Sequence, residues 1–265
     1  MSTTEIPAGL VKQLRDETGA GMMDCKRALQ ETGGDVEAAK RLLRERGMAE
    51  AGKRAGRETT EGIVLARIAE DRGTLVAVGC ETEPVSKNEE FLAFAQKVLE
   101  TVERDGPDAA EQLEDERVEL VGRIGENIAV RGAARFEREG DETIGAYVHP
   151  PANKIGVLVK IRGSAQLARE LAMHISFAAP RYKTRGEVPA EELEAEREIF
   201  ERSKEVQSKP EQVRDKIVDG MLGKRFFGQN VLPDQEWIHD SKTVGKALEE
   251  QDAEVLEFVR YALAG

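Results

Sequence analysis

Few residues of this chain have the types and spacing that catalysis or nucleotide binding requires. The nearest match is Gly47–Lys53, whose glycines and lysine fit the first seven positions of a phosphate-binding loop. Arg54 stands where that loop needs a magnesium-binding serine or threonine, and a predicted helix precedes the segment where a strand is required. We therefore interpret Gly47 as the end of a helix that is followed by a linker.

The histidines and cysteines form no catalytic or metal-binding pattern. His149, His174 and His239 lack carboxylate or cysteine neighbours at ligand spacing. Cys25 and Cys80 lie far apart, without a CxxC motif, and are predicted to be reduced and partly buried thiols. No metal or cofactor is expected.

Composition and charge favour a protein partner. The 265 residues are 40% hydrophobic and 34% charged, which indicates several small domains or an exposed element. A net charge of −12 and only 5% aromatic residues disfavour nucleic acid. One region is more basic, but interleaved glutamates favour a solvated face over an RNA contact; its residues are Lys40, Arg41, Arg44, Arg46, Lys53, Arg54 and Arg57.

Neither an export signal nor a membrane span is predicted. Met1–Gly9 lacks a basic and an apolar region, and no apolar run reaches 18 residues. The expected location is therefore the cytoplasm.

Two short segments have the character of binding sites. Thr18–Gly21 is a turn, and the flexible apolar pair Met22 and Met23 follows it directly, which is typical of an adaptable contact. Core packing of this pair is an equal alternative. Glu83–Val85 lies between a strand and a helix, and Pro84 cannot continue a strand ladder, so this segment is predicted to project. A simple connector is an equal alternative here too.

The hydrophobic spacing predicts an N-terminal helical unit before an α+β region. Residues 5–47 show three short helices, the last ending at Gly47, and a unit of residues 1–50 buries too little surface to be stable unless it docks. Residues 51–62 are predicted to be a linker. Two strands follow, up to Cys80, and Ser86 with Glu89 could form a capping box for the next helix.

The order of strand, strand, helix and strand then occurs twice, over residues 63–140 and 141–265. The predicted elements after the first two strands are a helix with its apolar face at Phe91–Val102, a helix at 108–124, strands at 128–136, 144–148 and 155–161, a helix at 166–177 and a strand at 255–261.

An inserted helical hairpin, residues 188–227, interrupts the second unit. Its two helices are highly charged and carry one thin apolar stripe, which cannot build a domain core alone. We expect this stripe to be buried against a second copy, which predicts a homodimer.

Several segments resemble the elongation factor Ts family. The resemblance spans Ile6 to Tyr261 in the family's order and rests on Leu10–Leu29, Gly33–Asp35, Ile124–Asn127, Gly156–Val159, Ala172–His174 and Ser241–Gly245. It implies a three-helix ubiquitin-associated-like domain, a two-subdomain antiparallel α+β core and an inserted hairpin that dimerises in some members. Since the sequence ends soon after Tyr261, we expect the additional C-terminal helix of some relatives to be absent.

The resemblance also implies a partner. Members of the family bind elongation factor Tu with GDP, promote GDP release and let GTP enter. The matching positions for contacts with a helix of the partner's nucleotide domain are Arg15, Met22 and Met23. Those for the surface of the core are Ile124, Gly125, Glu126 and Asn127, and those that disturb the partner's magnesium site are Thr82, Glu83, Pro84 and Val85.

One position departs from the pattern. Many relatives have Thr-Asp-Phe-Val-Ala-Lys where this chain has Thr82–Lys87, so Pro84 replaces an aromatic wedge. We expect the segment to act through backbone displacement and Glu83. The alternatives are an adaptor that binds a partner without changing nucleotide release, and a nucleotide-hydrolysing enzyme that uses Lys53.

Overall fold

The fold is α+β, as predicted, and this computed structural model describes residues 6–263. The chain divides into two compact units. The first comprises the chain up to Leu65 together with Val76–Ala134 and the last residues from Ala262, and the second comprises Ala66–Leu75 with Arg135–Tyr261. Two three-stranded sheets form the frame. The first has the order β1 (Glu61–Ile68), β2 (Arg72–Cys80), β3 (Ile128–Glu137), and the second has the order β4 (Glu142–Val148), β5 (Ile155–Arg162), β6 (Glu254–Ala262).

The N-terminal helices are α1 (Ala8–Thr18), α2 (Met22–Glu31) and α3 (Val36–Arg54). Glycine ends α1, because Gly19 adopts the left-handed conformation with φ of 68°. The carboxylate of Asp35 caps α3 by accepting a 2.9 Å hydrogen bond from the N–H of Ala38. A small core joins the three helices and is made of Val11, Leu14, Cys25, Ala28, Leu29 and Ala39.

The prediction that the third helix ends at Gly47 is wrong, because α3 continues to Arg54. The predicted linker, 51–62, therefore begins inside a helix and ends inside β1. Gly47–Lys53 is helical throughout and does not form a phosphate-binding loop. Glycine in a helix interior costs about 1 kcal/mol relative to alanine, so Gly47 weakens α3, and packing on a neighbouring helix keeps it folded.

The packing partner is α6 (Glu114–Ile124), which crosses α3 at two glycines. A Cβ placed on Gly122 would lie only 2.9 Å from the Cα of Gly47. Arg44 of α3 adds ion pairs to Asp115 and Glu119 of α6, at 3.7 and 3.6 Å. The three N-terminal helices therefore dock on α6 within the first compact unit, as their small core requires.

The first sheet is covered by one long helix, α5 (Glu89–Asp105), which buries Phe91, Phe94 and Val98. The predicted helix at 108–124 is divided, because Pro107–Leu113 is a 3-10 helix and α6 begins only at Glu114. The remaining bounds are β1 (Glu61–Ile68), β2 (Arg72–Cys80), α4 (Glu83–Ser86) and β3 (Ile128–Glu137).

The predicted capping box of Ser86 and Glu89 is wrong. Asn88 caps α5, since its side-chain oxygen accepts hydrogen bonds from the N–H groups of Glu90 and Phe91, at 2.8 and 3.2 Å. Ser86 instead ends α4, and its hydroxyl donates to the carbonyl of Glu83 at 2.7 Å.

The second sheet follows the same plan. β4 pairs antiparallel with β5, with Gly145 opposite Val159. Gly145 lets the covering helix approach, because a Cβ there would lie 2.6 Å from the backbone of Ala168. Helix and strands match the predicted positions within two residues: β4 (Glu142–Val148), β5 (Ile155–Arg162), α7 (Ala165–Ala178) and β6 (Glu254–Ala262).

The inserted hairpin contains its own apolar cluster, so the expectation that it cannot form a core alone is wrong. The first of its two predicted helices is divided into Ala190–Glu201 and a short helix, Lys204–Gln207, and Val206 of the short helix packs with the other apolar residues. The buried members are Phe200, Val206, Val218, Met221, Leu222 and Phe226. Ile199 and Val213 stay exposed, at 60% and 42%.

The elements of this region are α8 (Ala190–Glu201), α9 (Lys204–Gln207), α10 (Glu211–Met221), a π-helical turn (Leu222–Phe227), α11 (Gly228–Asn230), a 3-10 turn (Leu232–Asp234) and α12 (Val244–Glu249). Within residues 6–263, every helix is too short or too polar to span a membrane.

Candidate partner-binding surface

The first predicted segment is a tightly built turn between α1 and α2, which we call the methionine turn (Thr18–Met23). The hydroxyl of Thr18 donates to the carbonyl of Leu14 at 2.6 Å and accepts from the N–H of Ala20 at 3.3 Å. These bonds and the left-handed Gly19 fix the point at which α2 begins.

Met22 and Met23 occupy the first two positions of α2, and both are exposed, at 56% and 63%. An adaptable contact requires at least one of these side chains to be exposed, and both are; the alternative that they pack in the core is wrong. Arg15 is also exposed, on the last turn of α1. The methionine turn thus presents flexible apolar side chains to solvent, the form that an adaptable contact needs.

The second predicted segment, Thr82–Val85, lies one residue after the end of β2, and we call it the proline turn. It is the start of the one-turn helix α4, in which proline is tolerated because the first N–H groups of a helix have no internal acceptor. Thr82, Glu83 and Pro84 are exposed, whereas Val85 packs against the core. Glu83 forms a 2.7 Å ion pair with Lys87 and raises the pKa of that ammonium group through the hydrogen bond.

The third segment, Ile124–Asn127, ends α6, and we call it the core turn. Gly125 takes the left-handed conformation with φ of 82°, and its N–H donates to the carbonyl of Val121. Ile124 and Glu126 are half-buried, and Asn127 is only 3% exposed. Asn127 was predicted to contact a partner, but its side-chain amide faces inward and donates to the carbonyl of Arg57 at 2.7 Å.

The structure brings the proline turn and the core turn together. The carboxylate of Glu126 accepts from both the N–H and the hydroxyl of Thr82, at 3.0 and 2.6 Å. The carboxylate of Glu81 accepts from the N–H of Asn127 at 2.6 Å. The methionine turn lies near the same end of α6, because the side chain of Arg123 comes within van der Waals reach of Gly19.

Most residues of the basic region are paired within the chain. Their partners are acidic side chains of the same unit, as expected for a solvated face: Lys40 with Glu17 and Glu37, Arg44 with Asp115 and Glu119, Arg46 with Glu31, Lys53 with Glu50, and Arg57 with Glu81.

The cysteines and the buried histidine have structural surroundings. Cys25 and Cys80 are free and buried, and burial raises the pKa of the Cys25 thiol. His174 is fully buried, pairs through Nε2 with Gln235 at 3.0 Å, and has a pKa lowered by desolvation. Among residues 6–263, no group of histidine, cysteine and acidic side chains could hold a metal ion.

Comparison with known proteins decides the family. Residues 81–265 match the sequence model described as Elongation factor TS. Proteins named Elongation factor Ts from Methylococcus capsulatus and Photorhabdus laumondii are 41% and 42% identical to this chain, each match covering 97% of the chain and 91% of the relative. One from Clostridium perfringens is 39% identical, over 97% of the chain and 92% of the relative.

The chain belongs to the elongation factor Ts family. It is therefore a translation elongation factor, as the resemblance of its signature segments implies. The matches with individual elongation factor Ts proteins extend over 97% of the chain, so they reach the N-terminal helices that lie outside the matched family model.

Sequence reasoning missed the residues beneath the two adjacent turns of this elongation factor Ts chain. Arg54 donates from Nη1 to the carbonyl of Gly125, and Arg57 Nη1 lies 3.2 Å from Glu81 Oε2. Both arginines were interpreted only as part of a solvated basic region. The high density of basic residues around them was the available signal, but the sequence could not show which acceptors these two arginines reach.

Proposed function

We propose that the chain is the guanine-nucleotide exchange factor of elongation factor Tu. It binds the GDP form, disturbs the magnesium and nucleotide site, and promotes GDP release so that GTP can enter. The observation that carries this proposal is the pairing of an exposed apolar turn with an exposed polar turn on one compact unit of an elongation factor Ts chain.

The methionine turn supplies affinity. Arg15, Met22 and Met23 are exposed and contact a helix of the partner's nucleotide domain. Burying methionine side chains stabilises the complex by roughly 1.5–3 kcal/mol for each fully buried residue.

The proline turn supplies the disturbance of the magnesium site. Thr82, Glu83 and Pro84 are exposed at the end of β2, and Val85 anchors the turn to the core. Pro84 offers no flat ring, so the turn acts through its backbone and the Glu83 carboxylate. The core turn completes the contact surface through Ile124, Gly125 and Glu126, while buried Asn127 supports it from within.

Exchange of this kind needs no covalent step, so we propose that the chain is not an enzyme. The factor binds nucleotide-free elongation factor Tu more tightly than the GDP form. By linkage, the factor weakens the binding of GDP by the same ratio as GDP weakens the binding of the factor. Accelerating GDP release by about four decades requires about 5.5 kcal/mol of differential stabilisation. The methionine turn holds either form of the partner, and the proline turn supplies this difference because it fits only the opened form.

Several sequence expectations stay predictions within this proposal. They are a cytoplasmic location and the domain division at residues 50, 62 and 140. Association of two copies through residues 188–227 also stays a prediction, and exposed Ile199 and Val213 are its remaining apolar support. Light scattering at micromolar concentration is expected to show a dimer, and a monomer there would contradict it.

Release of fluorescent GDP from elongation factor Tu, followed by stopped flow with and without the chain, tests the proposal. We expect release to accelerate and to saturate with increasing factor. Binding without acceleration would identify an adaptor instead and would contradict the exchange function.

A further inference from the structure

A hydrogen-bonded network lies beneath the proline turn and the core turn, and we call Arg57, Glu81 and Asn127 the clamp. Glu81 Oε1 accepts from the backbone N–H of Asn127 at 2.6 Å. The side-chain amide of Asn127 donates to the backbone carbonyl of Arg57 at 2.7 Å. Arg57 Nη1 closes the ring on the Glu81 carboxylate at 3.2 Å. Each clamp residue thus contacts the other two.

Burial and charge make these bonds strong for a surface site. Asn127 is 3% exposed, and the side chain of Glu81 is 20% exposed. Hydrogen bonds to an ionised carboxylate in such partly desolvated surroundings are stronger than those between neutral groups. Arg54 adds a bond to the carbonyl of Gly125, one of the helix-end carbonyls that have no partner within α6.

The clamp joins three separate pieces of the chain. Arg57 follows the end of α3, Glu81 follows the end of β2, and Asn127 follows the end of α6. Thr82 and Glu126 are the direct neighbours of Glu81 and Asn127, and they bond to each other across the two turns. Any shift of the clamp therefore moves both Thr82 in the proline turn and Glu126 in the core turn.

We infer that the clamp is a positioning device that fixes the proline turn relative to the core turn, so that the partner meets one preset surface. This inference rests on the proposed exchange function. The clamp residues act through Thr82 and Glu126 and do not themselves contact the partner. Preset geometry lowers the ordering cost that a binding surface otherwise incurs at the moment of contact.

Amide hydrogen exchange on the free, full-length protein tests the clamp without any partner. The reporter is the N–H of Thr82, because its acceptor is Glu126 and not the residue that is changed. In Glu81→Ala, we expect the protection factors of both Asn127 and Thr82 to fall about tenfold or more. Unchanged protection at Thr82 would overturn the inference.

A second variant covers the case in which Glu81→Ala does not fold. Arg57→Ala removes one partner of Glu81 at a side chain that is 53% exposed, so it leaves the core intact. We expect a smaller fall in Thr82 protection, about threefold. No fall in Arg57→Ala would contradict the clamp.

Fluorescent-GDP release from elongation factor Tu supplies the functional readout. Glu81→Ala is expected to lower the maximal release rate about tenfold, with less than about threefold change in the half-saturating concentration. Glu81→Gln keeps an oxygen for the N–H of Asn127 and should restore the rate to within about twofold of wild type. The control is Glu205→Ala, which breaks a more exposed ion pair with Arg225 in the hairpin and should change neither value.

The outcomes separate the inference from the proposed function. A wild-type chain that does not accelerate GDP release contradicts the proposed function, while the exchange data on the free protein still decide whether the clamp positions the turns. A Glu81→Gln rate as low as that of Glu81→Ala would assign the effect to charge and overturn the positioning role.

Discussion

The methionine turn and the proline turn are both exposed turns that precede helices, yet they are built differently. The methionine turn presents two side chains that are 56% and 63% exposed. Its bonds, from Thr18, are local to the turn. The proline turn presents polar groups, and Thr82 is bonded to Glu126, 44 residues away in sequence.

This difference shows how one surface can provide affinity for a partner at one turn and discrimination between the partner's states at the other. Exposed methionines bury apolar area against any state of a partner that keeps the contacted helix, because the hydrophobic effect is not directional. A polar turn held by long-range hydrogen bonds keeps one geometry, and it can therefore favour one state of the partner over another.

The largest effect on binding is expected from removing the apolar side chains of the methionine turn. Truncation of both residues in Met22→Ala/Met23→Ala should weaken binding to elongation factor Tu by about 2–3 kcal/mol, or about 30- to 150-fold. The free energy of unfolding should change little, since both side chains are exposed. Titration calorimetry and urea denaturation measure the two quantities.

The chain offers a matched control for this pair. Met48 of α3 is 56% exposed, equal to Met22, but lies outside the methionine turn. Met48→Ala is expected to keep the dissociation constant within about twofold of wild type. Equal losses from Met48→Ala would show that the methionine turn has no special role.

The next largest effect is expected at the crossing of α3 with α6, the helices that support the methionine turn and the proline turn. Gly122→Ala places a Cβ 2.9 Å from the Cα of Gly47, and this overpacking should destabilise the protein by about 1–3 kcal/mol. Gly47→Ala meets Gly122 at an ordinary 3.7 Å and should stabilise the helix by about 0.5–1 kcal/mol. Urea denaturation of both variants checks the sign, and equal effects would argue against close packing at this crossing.

A smaller effect is expected at the exposed part of the proline turn. Glu83→Ala should slow maximal GDP release about tenfold, while losing the exposed ion pair with Lys87 should change the stability of the protein little. Pro84→Phe restores a flat ring and should speed release. If the first variant loses nothing and the second gains nothing, the proline turn does not drive exchange.

The smallest effect is a pH dependence from the clamp. Desolvation, the largest contribution, raises the pKa of Glu81, but the N–H of Asn127 and the guanidinium of Arg57 together outweigh it, so that the pKa lies below its ordinary value of 4.5. A lowered pKa contributes stability that is complete above the unfolded value and is lost as pH falls through the folded one. The stability difference between wild type and Glu81→Gln should therefore be constant near neutrality and shrink in acid, as urea denaturation at several pH values would show. A difference that grows in acid would contradict this sign.

Sequence reasoning predicted the regular parts of the fold well, because strict periodicity specifies them. The positions of β4, β5 and α7 follow from alternating and helical apolar patterns, and they match within two residues. The end of α3 could not be predicted, because Gly47 looks like a helix stop, and only the packing of α3 against α6 at Gly122 shows why the helix continues. The core of the hairpin was missed because the short helix α9 turns Val206 inward.

The candidate surface was predicted in part for the same reason. Exposure of Met22 and Met23 followed from a local signal, a turn directly before a helix. The bond between Thr82 and Glu126 and the inward position of Asn127 depend on which distant segments meet. One sequence contains no record of those pairings, so the clamp became visible only in three dimensions.

The most direct test measures the affinity of the chain for nucleotide-free and for GDP-bound elongation factor Tu, using wild type, Met22→Ala/Met23→Ala and Glu83→Ala. The account predicts tighter binding of wild type to the nucleotide-free form, equal weakening of both forms by the methionine variant, and selective weakening of the nucleotide-free form by Glu83→Ala. Equal wild-type affinity for the two forms, or selective weakening by the methionine variant, would contradict it.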